Sequence, residues 1–320
     1  MSPTKSKNPL VELSASLADA VETAGKSIVA IHARRRIPSS GVVWREGGGV
    51  IVSASHTVRA DGDVAVTLPS GDSARATVVG RDSATDLVVL RLSGASAAVA
   101  ARADADAARI GSLVLALGRP GRKVSASFGI ISAIADDWRG TAGGRIDRVM
   151  RLDLSIYDGF SGGPLVDATG AVIGIDNSVL ARGTPTALPA ATVDRVVDEL
   201  LQHGHMRRPF IGVAVQQVEL NGATVARHNL SRDRGLVVVS IADGSPAESA
   251  GILIGDVLLS AGAQPLRRPT DLLDALTSAG DGASLELELL RGGGIAKSRV
   301  TPVDRGAGAV AEVASEEDDR

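Results

Sequence analysis

Gly159-Phe160-Ser161-Gly162-Gly163-Pro164 sets a serine in a run of glycines. A serine hydroxyl is a poor nucleophile at neutral pH. It needs a base to take its proton, a third group to orient that base, and donors to hold the developing oxyanion. The stretch satisfies G-x-S-x-G, a pattern shared by two unrelated architectures. In one, the serine sits on a strand-to-helix elbow of a parallel sheet and precedes its acid and histidine. In the other, the chain order is His, Asp, Ser.

Working outward from Ser161 separates the two. Downstream lie His203, His205 and His228, the first two in a polar break that reads as a linker. Upstream lie two candidates in better surroundings. His56 follows an apolar strand and small residues, Val50-Ile51-Val52-Ser53-Ala54-Ser55. Asp86 stands at the mouth of another apolar strand, Leu87-Val88-Val89-Leu90. A partly buried Asp there can hold the histidine tautomer and stabilise its cation. Asp82 reads as a turn residue instead. The glycines around Ser161 let the backbone curl, and the N–H groups of Gly159 and Ser161 are the natural oxyanion donors.

The rest of the chain supplies the frame. With 320 residues, two domains are the better expectation, because single cores rarely grow past roughly 250–300 residues. At 44% hydrophobic and 22% charged, the composition is that of a globular protein. Aromatics are only 2%, so the core must be built from Val, Ile, Leu and Ala. A net charge of −3 gives no pull toward nucleic acid or anionic lipid. There is no cysteine, which excludes disulfides, thiolate metal sites and a Cys nucleophile. His203 and His205 make a weak metal pair, so no metal and no cofactor are expected.

Leu10, Leu13, Leu17 and Val21 fall at helical spacing and predict a helix over residues 10–25. Residues 1–35 read as this helix and a lead-in strand. Residues 36–202 read as short strands broken by Gly, Asp and Ser, closed by a helix over 191–201. Residues 203–209 read as the linker, and 210–303 as a smaller unit with helices near 246–250 and 270–279. Thr270 is placed to cap the second of these. From 304 to 320 an acidic tail is expected to be disordered. Arg34-Arg35-Arg36 reads as a solvated turn. The first forty residues hold no unbroken apolar run, so no signal peptide or transmembrane span is read, and the location is expected to be cytoplasmic, or periplasmic if the start site is misassigned.

With these motifs in place, residues 10 to 303 resemble the HtrA family of trypsin-like serine proteases with a C-terminal PDZ domain. The matching segments are Ser40-Gly41-Val42-Val43, Ser53-Ala54-Ser55-His56, Thr85-Asp86-Leu87-Val88, Gly159 through Asp167, and Ala187-Leu188-Pro189. In the second unit they are Pro209-Phe210-Ile211-Gly212-Val213, Gly244 through Gly251, and Ile254-Gly255-Asp256-Val257. The resemblance implies a mainly β fold, a double β-barrel protease domain followed by a small α+β PDZ domain. It implies His56 as base, Asp86 as orienter and Ser161 as nucleophile of an endopeptidase acting on unfolded or misfolded protein. It places Ile156 and Val179 in the primary specificity pocket, favouring a small or aliphatic residue before the cut. It gives the amides of Phe210, Ile211, Gly212 and Val213 to a peptide C-terminal carboxylate, and implies a homotrimer.

Four residues depart from the family pattern. Phe160 stands where Asn is common, Tyr157-Asp158 where Asn-Pro is usual, and Ser55 replaces Ala or Asn. Phe160 motivates a second reading, a catalytically silent protease-fold scaffold acting through its PDZ domain. A third, an esterase-type hydrolase, predicts a parallel sheet with helices on both faces.

Overall fold

The computed structural model describes residues 8–33, 37–45, 49–59, 62–103, 108–139, 145–181, 183–207, 209–230, 233–279 and 282–304. The Arg34-Arg35-Arg36 run and the acidic tail after residue 304 lie outside them. The chain divides into two compact units, Met1–Met206 and Arg207–Arg320.

The first unit opens with α1 (Pro9–Gly25), capped by the Asn8 side chain on the Leu10 N–H. Six strands follow: β1 (Ile28–His32), β2 (Ser39–Arg45), β3 (Val50–Ala54), β4 (Asp63–Thr67), β5 (Ser73–Asp82) and β6 (Leu87–Ser93). They close antiparallel into a barrel in the order β1-β2-β3-β6-β5-β4. Six more make a second barrel, β10-β11-β12-β9-β8-β7. These are β7 (Leu113–Gly118), β8 (Ser125–Arg139), β9 (Arg145–Asp153), β10 (Pro164–Val166), β11 (Val172–Asn177) and β12 (Thr186–Pro189). Closure removes the open strand edges that a sheet would otherwise expose. It also overturns the esterase-type expectation, since every pairing between these strands is antiparallel.

The interiors are filled as the composition dictates. The first barrel encloses Val29, Ile31, Ile51, Val66, Val88 and Leu90. Each such side chain contributes roughly 1.5–3 kcal/mol when fully buried. A larger cluster joins both barrels to α2 (Ala190–His203), with Trp44 at its heart, 1% exposed. The Trp44 Nε1–H donates to Asp194 Oδ1 at 2.9 Å, which satisfies the one polar atom of that ring. Gly204, at φ +75°, closes α2 in the left-handed conformation.

The second unit is an antiparallel sheet in the order β14-β15-β16-β18-β19, with β17 paired to β16. Its strands are β13 (Pro209–Phe210), β14 (Val213–Glu219), β15 (Arg234–Ile241), β16 (Val257–Ala261), β17 (Gln264–Pro265), β18 (Leu285–Arg291), β19 (Gly294–Val300) and β20 (Val303–Asp304). Helices α3 (Gly222–Arg227), α4 (Pro246–Ser249) and α5 (Pro269–Ala279) accompany it. α5 begins at Pro269, so Thr270 lies inside its first turn rather than capping it. Asp271 does that work, accepting the N–H groups of Arg267 and Arg268 at 2.8 Å each. No helix among the described residues is long and apolar enough to cross a membrane.

Candidate active site

β3 runs into a single 3-10 turn, Ser55–Thr57, which carries His56. Thr57 Oγ1 donates to the Ala54 carbonyl at 2.7 Å and ties the turn to the strand end. Opposite it, Asp82 accepts from the Ala84 N–H at 3.0 Å and from Thr85 Oγ1 at 2.7 Å, so it is the turn-former the sequence suggests. That turn leaves Asp86 at φ +55°, a left-handed backbone that Asp tolerates better than most residues.

Asp86 holds His56 at two points. Oδ1 accepts the His56 backbone N–H at 2.8 Å, and Oδ2 lies 2.5 Å from Nδ1. A carboxylate only accepts, so Nδ1 is the donor, and in the neutral ring this leaves Nε2 as the acceptor. The Asp86 carbonyl also takes the Ser55 N–H at 2.7 Å. Both side chains are largely covered, with 24% of His56 and 15% of Asp86 exposed.

The Ser161 loop is pressed onto the same strand end. Gly162, at φ +88°, leaves no room for a side chain, since a Cβ would meet Ser53 Oγ, the Ser40 carbonyl and the Ala54 nitrogen. Its N–H donates to the Asp176 carbonyl at 2.9 Å, and the Asp176 N–H returns a bond to Gly163 at 2.8 Å. Ser161 is 6% exposed, and its Oγ lies 2.8 Å from Ser178 Oγ.

The end of β11 therefore reaches both halves of the constellation. Ser178 meets Ser161, while the Asn177 Nδ2–H donates to Asp86 Oδ2 at 2.8 Å. Asn177 Oδ1 accepts the N–H groups of Val179 and Leu180 at 2.9 and 3.0 Å, which fixes the amide's orientation. Sequence reasoning missed both residues. The available signal was a polar run, Asp176-Asn177-Ser178, following the apolar Val172-Ile173-Gly174-Ile175.

Before the serine, the Phe160 N–H donates to the Tyr157 carbonyl at 3.0 Å, and Gly159 has φ +85°. A positive φ at the third position of a four-residue turn is the type II signature. Among the described residues, the N–H groups of Gly159 and Ser161 donate to no protein acceptor. Phe160 has its own apolar seat. It is 1% exposed in the second barrel's core, against Gly118, whose missing Cβ makes the space, and edge-on to Tyr157. Ile156 is partly buried against that core, whereas Val179 is 41% exposed.

Asp176 itself is fully buried, and neither carboxyl oxygen has a well-aligned partner among the described residues. Burial pushes this carboxyl well above the ordinary carboxylate range, and the Leu117 backbone nearby offsets only part of the effect. The folded chain thus keeps a proton that the unfolded chain releases above about pH 4. The group's contribution to stability is complete below that pH and is lost as pH rises toward its folded value. Asp176→Asn keeps the shape without the ionisation. Its melting temperature is expected to gain on wild type as pH rises above about 4. A difference independent of pH would refute this reading.

In the second unit, Gly212 has φ +84°, and its carbonyl accepts the Ala242 N–H at 2.8 Å. Ile211 is buried, and its carbonyl accepts the Ala247 N–H at 2.8 Å. Among the described residues, the N–H groups of Ile211 and Gly212 have no protein acceptor. Phe210 ends β13 and Val213 opens β14, an edge strand of the sheet that packs against α5. No cluster of metal-ligating side chains occurs among the described residues.

Residues 39–175 match the trypsin-like peptidase domain, and residues 209–301 match the PDZ domain. A protein of Brucella suis named "probable periplasmic serine endoprotease DegP-like" is 33% identical over 269 residues, covering 81% of this chain and 51% of its own length. A protein of the same name from Rhizobium meliloti is 33% identical over 267 residues, covering 81% and 52%. The chain thus spans about half the length of these relatives. Among solved structures, a serine endoprotease from Yersinia pestis is 26% identical with a TM-score of 0.71, covering 90% of this chain and 97% of that one. The HtrA-type protease AlgW with a tripeptide is also 26% identical, with a TM-score of 0.70. The relatives' names correct the expected cytoplasmic location, because they point to the periplasm instead. That expectation rested on the first forty residues, and the two folded units carry no mark of compartment. The chain thus carries a trypsin-like peptidase domain followed by a PDZ domain, and it is similar to DegP-like serine endoproteases and HtrA-type proteases.

Proposed function

We propose that the chain is a serine endopeptidase that cuts unfolded or misfolded protein through an acyl-enzyme. The observation that carries this is the double grip of Asp86 on His56, by backbone and by ring, beside the Ser161 loop. In the proposed cycle, Ser161 Oγ bonds to the peptide carbonyl carbon and its proton passes to His56 Nε2. The oxyanion meets the N–H groups of Gly159 and Ser161. His56 then protonates the leaving amine as the C–N bond breaks. Water attacks the ester with His56 again as base, and the acid leaves. Ile156 and Val179 line the pocket for a small or aliphatic residue before the cut.

The scaffold alternative rested on Phe160, and the buried seat of its ring removes that motive. Covalent labelling by a fluorophosphonate probe tests the enzyme reading. Wild type is expected to be labelled and a Ser161→Ala variant is not. A folded wild type that stays unlabelled, under stress conditions as well, ends the proposal.

We further propose that the PDZ unit takes peptide C-termini, with the carboxylate on the amides of the 210–213 loop and the peptide added as a strand along β14. The N–H groups of Ile211 and Gly212, which have no protein acceptor among the described residues, support this. Calorimetric titration of the full chain with an apolar-ended peptide is expected to show binding that falls at least tenfold when the peptide is C-terminally amidated. Equal affinity for both forms would count against carboxylate recognition.

A further inference from the structure

Arg119 is a buried cation, 6% exposed, whose guanidinium hydrogen-bonds, among the described residues, only to carbonyls. Nε donates to Ile28 O at 2.7 Å, Nη1 to Arg122 O at 2.9 Å, and Nη2 to Gly25 O at 3.0 Å. Gly25 ends α1 and Ile28 opens β1, so the charge sits at a helix C-terminus, where the backbone dipole favours a cation. The price of burying it shows in a guanidinium held below its ordinary value by desolvation.

The same residue reaches the nucleophile loop through its backbone. The Arg119 N–H donates to Ser40 Oγ at 2.7 Å, and Ser40 Oγ donates to the Gly159 carbonyl at 2.6 Å. Ser40 is wholly buried, and its own carbonyl accepts Ser53 Oγ at 2.6 Å. Its hydroxyl spends its single proton on Gly159 and a lone pair on Arg119, so both ends of the bridge are fixed. Pro120, next along the chain, lies against the open flank of Gly159, where an added Cβ would come within 2.8 Å of it.

We infer that Ser40 is a positioning residue for the oxyanion loop, and that Arg119 ties this loop, through Ser40, to the C-terminal end of α1. The inference rests on the proposed protease reading. A glycine has no Cβ to resist rotation, so Gly159 keeps its left-handed backbone only while neighbours hold it. Ser40 grips its carbonyl directly. Releasing that grip frees the Gly159–Phe160 peptide to rotate, and because Gly159 links it to the Asp158–Gly159 peptide, the Gly159 N–H on that second unit loses its fixed aim at the oxyanion, with His56 untouched. The effect then falls on turnover rather than on substrate binding.

The test is a double-mutant cycle on the full chain, with peptide hydrolysis, fluorophosphonate labelling rate and melting temperature as readouts. Ser40→Ala is expected to lower kcat about 10- to 100-fold, below the 10²–10³ range for an oxyanion donor removed outright. KM should stay within about twofold of wild type. Arg119→Met, which keeps its backbone N–H, is expected to lower kcat less and melting temperature more. If Arg119 acts through Ser40, the double variant has the kcat of Ser40→Ala alone, because residues acting as one unit are not additive.

Wild-type kcat in a folded Ser40→Ala variant overturns the inference, as do multiplicative effects in the double variant. A wild type that neither labels nor cuts would sink the protease reading first. Native-state amide exchange over residues 157–163 reads the bridge without activity, and it serves equally if Arg119→Met fails to fold. Exchange there at least tenfold faster in Ser40→Ala supports the bridge, and unchanged exchange refutes it.

Discussion

Peptide hydrolysis by a Ser161→Ala variant is expected to fall on the order of 10⁶-fold, with the fold intact. The change removes one hydroxyl whose hydrogen-bond partner is Ser178, at 2.8 Å. A hydrogen bond of that kind contributes about 0.5–1.5 kcal/mol to stability. The melting temperature should therefore move by a few degrees at most, while chemistry stops. What remains, on the order of 10³–10⁴ over water, comes from the oxyanion donors and substrate binding. His56→Ala is expected to cost about as much, and the double variant hardly more, because the base has no role without its nucleophile. Steady-state hydrolysis of a denatured protein substrate, followed over days, checks this. A Ser161→Ala variant retaining a percent of wild-type turnover would remove Ser161 from the mechanism.

Asp86→Asn is the second large effect, about 10⁴-fold in kcat. Asp86 accepts three hydrogen bonds with two oxygens, from the His56 N–H, from Nδ1 and from Asn177 Nδ2. An asparagine has one oxygen and one NH₂ group, so it must turn a donor toward one of these donors. If the NH₂ faces Nδ1, the imidazole shifts its proton to Nε2 and loses the lone pair that Ser161 needs. If it faces the His56 N–H, two donors collide at the turn. Leaving such a partly buried donor unsatisfied costs about 1–3 kcal/mol. This variant, unlike Ser161→Ala, should therefore lose both rate and melting temperature. Circular dichroism melts beside kcat values distinguish the two cases. A fully active Asp86→Asn enzyme would mean that His56 takes its orientation from elsewhere.

Much of this was readable along the chain. The order His56, Asp86, Ser161 chose the fold, and helical spacing placed α1 within one residue of its observed start. What stayed hidden depends on contacts between distant positions. Asn177 and Asp86 are 91 residues apart, and Ser40 and Gly159 are 119 apart. No local pattern marks either pair. Phe160 was visible only as a departure. Its seat exists because Gly118 lacks a side chain, a fact about another strand. Thr270 misled for a local reason, since Asp271 is the stronger acceptor and sits within reach of two backbone N–H groups.

The left-handed backbone at Asp86 has a consequence for how such a sequence can drift. Most residues lose roughly 1–2 kcal/mol in that conformation, and only Gly, Asn and Asp visit it routinely. On the proposed mechanism, selection acts on this position twice, once for the carboxylate and once for the turn. A lineage that abandons proteolysis frees the first demand and keeps the second. Its descendants should collect Asn or Gly at this position rather than Ala or Val, whereas Ser161, with no such backbone constraint, should drift to almost any small residue. The identity of the residue beside Leu87 then distinguishes a lineage that lost its chemistry and kept its fold from one that is losing both.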